Sequence, residues 1–361
     1  MQKIARISFI LVLIFVLIFV YSLSFHNEAK ARKVLHKHLQ SEHNEEFAIG
    51  LMGIRSMNND KWYEARILPQ RYVGTLKEID SYYWSNGFVD IERFKLVPGD
   101  TYGGVLLNED ANKFFGKKIE ELFGPNYICA IDVGGQYEYT SFLKEQERKN
   151  ELYAARPDGN FLPIGGAIYV FGRVDNNSDR EYYRGKIHEF ILYMKEVKSF
   201  EYVAMWMVVL DERVLSDAFA ANKEDQERLL DLYSAVGEKY SAEIKDIAYK
   251  NPETFDKDPE IIAQIEQLYK EVGKTYLKEK AEIMDKYTES YNNTSEENVQ
   301  SRIENFGKSQ IRRKAIYNVF LTAPMFSPRH LRGIKARSIR QTNFEKVGDV
   351  HFTEELYYKG E

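Results

Sequence analysis

Residues 61–69 read KWYEARILP. Taken with the two-residue period of a β-strand, Trp62, Glu64, Arg66 and Leu68 fall on one side, and Tyr63, Ala65 and Ile67 on the other. The second side is apolar and needs a cover. The segment HNEAKARKVLHKHLQSEH (26–43) offers one, because Ala31, Leu35 and Leu39 recur at i, i+4 and i+8 and make a single helical stripe. EEFAIGLMGIRSM (45–57) has strand composition and joins 61–69 through the turn NND. GFVDIERFKLVPGD (87–100) reads as a further strand. One helix lying on an antiparallel sheet defines an α+β module over residues 26–101.

A second α+β module is expected over 102–221. NEDANKFFGKKIEELFGP (108–125) is a helix with Phe114, Phe115, Ile119, Leu122 and Phe123 on its apolar face, stopped by Gly124–Pro125. YICAIDV (127–133) is a strand, and YEYTSFL (137–143) is its expected partner strand. IGGAIYVFGRV (164–174) is another strand. The helix 176–197 follows, its start marked by the capping box Ser178–Glu181. FEYVAMWMVVL (200–210) is apolar on both faces and belongs in the middle of its sheet. The strand–helix–strand order over 164–210 permits a parallel crossover among other pairings.

Residues 222–291 are acidic and helical. Leu229, Tyr233, Val236, Tyr240, Ile244 and Ile247 step by threes and fours, as do Ile261, Ile265, Leu268, Val272 and Tyr276. NPETFDKDP (251–259) separates the two runs, so the spacing predicts a long antiparallel helical hairpin. Residues 292–361 form a basic C-terminal segment that ends in a strand-like stretch, DVHFTEELYYK (349–359).

Residues 7–25, ISFILVLIFVLIFVYSLSF, contain no charged side chain. As a helix they would extend about 28 Å, close to the ~30 Å hydrocarbon core of a bilayer. They therefore predict an N-terminal transmembrane helix, with 1–25 as the anchor and the lipid bilayer as its partner. The length favours a retained signal-anchor over a cleaved signal peptide. The short basic N-terminus (Lys3, Arg6) favours an extracytoplasmic body. Lys30, Arg32, Lys33 and Lys37 on the other flank favour a cytoplasm-facing one.

The chemistry is sparse. G-x-S-x-G, H-E-x-x-H, G-x-x-x-x-G-K-[ST] and G-x-G-x-x-G are all absent from the 361 residues. A single cysteine, Cys129, excludes an intramolecular disulfide framework and a Cys-based zinc site. A net charge of -5 argues against nucleic acid as a partner. No cofactor, metal or catalytic group is expected; His38 and Glu42 share a helix face that reads as solvated surface.

Two groups stand out. Asp211 and Glu212 close the central strand, where α/β sheets place active groups, and paired carboxylates could serve a hydrolase. Between Gln300 and Gln341, ten Lys/Arg face one acid, Glu304. Arg312, Arg313, Lys314, Arg329, Arg332, Lys335 and Arg337 are candidates for contact with anionic lipid or an anionic wall polymer. The same charges could instead balance the acidic hairpin. The combined expectation is a single-pass, membrane-anchored envelope protein with a binding or scaffolding role at the extracytoplasmic face. Its alternatives are a carboxylate-dependent hydrolase and a cytoplasm-facing anchored protein.

Overall fold

The computed structural model describes residues 27–92, 95–155, 162–173, 177–199, 203–253, 258–306 and 319–326. The chain is α+β and divides into two compact units, Met1–Leu106 and Leu107–Glu361, each with its own four-stranded sheet.

In the first unit, helix α1 (Glu28–His43) starts at Asn27, whose side chain accepts the Lys30 N–H at 2.8 Å. It ends at Asn44 in the left-handed region, with φ 51. Strands β1 (Phe47–Met57), β2 (Asp60–Pro69), β3 (Ser85–Glu92) and β4 (Lys95–Asp100) follow as an antiparallel meander in the order β1-β2-β3-β4. Asn58 and Asn59, both at positive φ, make the two-residue β1–β2 turn.

Ala31, Leu35 and Leu39 bury their stripe against Tyr63, Ala65, Ile67 and Val89. The close approach of the helix depends on Gly87: a Cβ there would sit 2.7 Å from Leu35 Cδ2 and 2.9 Å from Ile67 Cγ2. The end of α1 is tied to β4 by Asp100. Its carboxylate faces His38 Nε2 at 2.9 Å and His43 Nε2 at 3.1 Å, and accepts the Tyr102 N–H at 2.9 Å.

In the second unit, helix α2 (Tyr102–Phe123), from Leu107 onward, precedes β5 (Tyr127–Val133) and α3 (Phe142–Ala155). Then come β6 (Ile164–Gly172), α4 (Asn177–Glu196) and β7 (Val203–Asp211). The sheet order is β5-β6-β7-β8, with β8 at Val319–Phe326. β6 and β7 are parallel and the other pairs antiparallel, so α4 is a crossover helix and β7 is internal.

Leu107, Phe115 and Ile119 of α2, Phe142 of α3 and Phe190 of α4 share one core with Ile131, Ile168 and Val209. Phe171 and Leu210 belong to a second core, with Val214, Leu215, Phe219, Leu229, Ile283, Met284 and Tyr287. Burial on both faces accounts for the apolar character of β7. α2 also closes the β5 edge: Asn112 Oδ1 accepts the Ile131 N–H at 2.9 Å, and Asn108 Oδ1 accepts that of Val133 at 2.7 Å.

Helices α5 (Lys223–Lys250) and α6 (Pro259–Met284) pack on each other as the two arms of a hairpin. Leu229, Ile283 and Met284 root them in the second core. Helix α7 (Glu296–Phe306) adds Val299 and Ile303 to it.

Three expectations need correction. Residues 87–100 are not one strand: β3 ends at Glu92, β4 starts at Lys95, and the two pair antiparallel. The stretch 137–143 is not the partner strand of β5. The Glu145 carboxylate accepts the N–H groups of Glu138 and Tyr139 at 3.0 and 3.1 Å, which folds that segment into a loop before α3. The partner is β6.

The last correction concerns the membrane. Among the described residues no helix is long and apolar enough to cross one. The expected N-terminal transmembrane helix, and the single-pass, membrane-anchored envelope protein built on it, whether extracytoplasmic or cytoplasm-facing, find no helix to carry them there. Residues 7–25, on which it rested, lie outside the described residues, as do 327–361 with their strand-like tail.

Candidate functional site

The sheet of the first unit has one face under α1 and one face without it. The register sets out the second face in rows. Arg55, Trp62, Asp90 and Val97 form one row; Gly53, Glu64, Phe88 and Gly99 form the next; Arg66 and Asn86 stand in the third. Strand alternation places these side chains opposite Tyr63, Ala65 and Ile67.

Three contacts shape the face. The Arg66 guanidinium lies 3.5 Å from the Trp84 ring centroid. Trp84 is itself fixed by donation of its Nε1–H to the Glu78 carbonyl at 2.9 Å and remains 36% exposed. Arg55 Nε donates to Glu64 at 3.3 Å. Phe88 packs over Gly99, where a Cβ would come within 2.5 Å of the ring. Trp62 and Phe88 stay half-buried. In the segment before Trp84, Val73, Leu76 and Ile79 are also exposed. The face therefore offers large flat apolar groups between charges of both signs.

Strand alternation alone assigns Trp62, Glu64 and Arg66 to this outer side. Trp84 could not be assigned that way, because it enters from an irregular connection with no period.

In the second unit, Asp211 and Glu212 have separate partners. Asp211 caps the turn Glu212–Leu215, accepting the Arg213 N–H at 3.1 Å. Its carboxylate also accepts from Arg213 Nε at 2.9 Å, Arg213 Nη2 at 2.7 Å and Lys280 Nζ at 2.9 Å. Asp211, Arg213 and Lys280 are all buried. Burial by itself would raise the Asp211 pKa, but Lys280 and Arg213 outweigh it and hold the group at about 2. Arg213 also reaches Asp285 at 2.6 Å.

Glu212 accepts from Tyr291 Oη at 3.3 Å. Burial pushes its pKa up, with the Asp211 charge adding to the effect. Burial and the Glu212 charge also push Tyr291 to about 12. Asp211 is thus the centre of an ion cluster that ties the base of α6 to the end of β7. A hydrolytic pairing of the two carboxylates has no geometric support.

Arg312, Arg313, Lys314, Arg329, Arg332, Lys335 and Arg337 lie outside the described residues. Among the described residues no group of three or more His, Cys, Asp or Glu is arranged to hold a metal ion. His38 meets Asp100 rather than Glu42. Cys129 is half-buried, and burial pushes its thiol up to about 12.

No protein-family model and no curated protein matches the chain. Among solved structures, a DUF5037 family protein from Ruminococcus gnavus is similar over 49% of this chain and 73% of its own, with 16% sequence identity and a TM-score of 0.29. A likeness at that level carries no argument about fold or activity.

Proposed function

We propose that the protein acts by binding another protein on the open sheet face of its first unit. The observation behind this reading is the Arg66 guanidinium stacked on a partly exposed Trp84, beside Trp62 and Phe88, on the side of the sheet away from α1. Trp and Arg are enriched at the energetic centres of protein interfaces, where each brings a large contact area. A guanidinium held over an indole contributes about 0.5–1 kcal/mol when exposed and about 2 kcal/mol once a partner excludes water. Arg55 and Arg66 alternate with Glu64 and Asp90 on this face. That mixture suits a partner carrying both signs and does not suit a polyanion.

The test is selection of peptides from a displayed random library on the full chain. Selected binders are expected to lose affinity about tenfold or more with Arg66→Ala and with Trp84→Ala, equivalent to about 1.4 kcal/mol. Lys33→Ala, on the exposed side of α1, should leave them unchanged. Hydrogen exchange should slow over 61–68 and 85–92. Binders that protect other segments and ignore both substitutions would overturn the reading.

A further inference from the structure

Among the described residues β1 has a neighbour on one side only. Its turn fixes which main-chain groups remain available. In a two-residue hairpin the closing pair exchanges both hydrogen bonds, and alternate pairs repeat the pattern. Met57–Asp60, Arg55–Trp62 and Gly53–Glu64 are therefore the bonded pairs of β1 and β2. The N–H and C=O groups of Met52, Ile54 and Ser56 point away from β2. Upstream, the edge is closed, since Arg32 donates to the carbonyls of Ile49 and Gly50, each at 2.9 Å. The open stretch carries unusual side chains for a free edge: Leu51 is 97% exposed, Ile54 59% and Met57 65%.

We infer that this edge pairs with the same edge of a second copy of the chain, antiparallel, about a two-fold axis at Ile54. The inference is independent of the open-face proposal. In that register Ile54 meets Ile54, and Met52 meets Ser56 on either side, so every outward main-chain group from 52 to 56 finds a partner. Leu51 of one copy lies opposite Met57 of the other, covering the two most exposed apolar residues of the strand with each other. Arg55 of one copy lies opposite Gly53 of the other. A Cβ at Gly53 would meet nothing within 4 Å, so that place is open, and Glu64 stands in the next strand of the same row. Arg55 and Glu64 of the two copies then alternate in sign across the axis. The neighbouring register, with Gly53 on the axis, sets Arg55 against Leu51 and Met52 against Ile54. It has neither match.

The test uses the full chain in sedimentation equilibrium, with two cysteine variants. The wild type should dimerise with concentration. Ile54→Lys, which sets two cations face to face, should raise the dimer Kd about a hundredfold or more at unchanged far-UV circular dichroism. Ile54→Cys should form a disulfide-linked dimer on mild oxidation, because directly opposed bonded residues are about 5.5 Å apart at Cα. Ser56→Cys should not, because its opposite is Met52. Both variants keep Cys129, so the difference between them reads out position alone. A wild type that stays monomeric at every concentration would overturn the inference, as would equal crosslinking of the two variants. If Ile54→Lys fails to fold, the cysteine pair decides.

Discussion

Replacing Asp211 by Asn tests whether the end of β7 is held by charge. The side chain is 1% exposed and accepts from two buried cations, Arg213 and Lys280. Its pKa stands at about 2 against an ordinary 3.8. That gap corresponds to about 2.4 kcal/mol, at ~1.36 kcal/mol per pH unit. A depressed folded-state pKa gives stability that is fully present above pH 3.8 and lost as pH falls toward 2. Asn removes this contribution at neutral pH and leaves two buried cations near each other, so the total loss should approach the ~3–5 kcal/mol seen when one partner of a buried pair is removed. Against a domain stability of ~5–15 kcal/mol this is a large share. The chain has three tryptophans, and Trp206 belongs to the second unit. With Trp62 and Trp84 changed to Phe, fluorescence during urea unfolding follows that unit alone. Asp211→Asn should lower the midpoint at neutral pH and flatten the dependence between pH 3.8 and about 2. A neutral-pH loss under about 1 kcal/mol, with the acid slope unchanged, would mean the cluster is solvated and the reasoning fails.

Gly87→Ala should cost the first unit about 1–3 kcal/mol, because its Cβ would press on Leu35 and Ile67 in a filled core; thermal unfolding followed through Trp62 and Trp84 measures it. Asn108→Leu should cost the second unit about 1–3 kcal/mol by stripping the Val133 N–H of its acceptor, and amide exchange at Val133 should quicken relative to Ile131, which keeps Asn112.

Much of the fold was legible where a single period ran undisturbed. The alternation at 62–68 and the four-residue stripe at Ala31, Leu35 and Leu39 locate two surfaces that the structure packs together. The double-sided apolar run at 203–210 marks an internal strand, and β7 is internal. The reading failed where a side chain from elsewhere decided the backbone. Residues 137–143 alternate like a strand. Yet two of their N–H groups go to Glu145, and a carboxylate that ends a ladder has no signature in the ladder itself.

The sites show the same division more sharply. Periodicity reports which side of an element is covered, but not what meets the other side. The apolar run marks Asp211 as the end of a central strand, and Asp211 does close β7. Its chemistry is set by Lys280, 69 residues away on the hairpin, which converts an apparent acid into a structural anion. On β2 the converse holds. The outer side, Trp62, Glu64 and Arg66, was assigned simply as the side that needs no helix. It becomes a candidate docking face because Trp84 is brought beneath Arg66 from an irregular segment and anchored by Glu78. A charged residue on a free strand face is ordinary. One whose guanidinium is held over an indole has lost part of its freedom before any partner arrives, and that pre-ordering makes the residue cheap to bury. Arg66→Lys therefore separates the two readings of this face. Lysine keeps the charge but loses the planar stack, so binding should fall nearly as far as with alanine if the stack matters, and hardly at all if the face offers only charge.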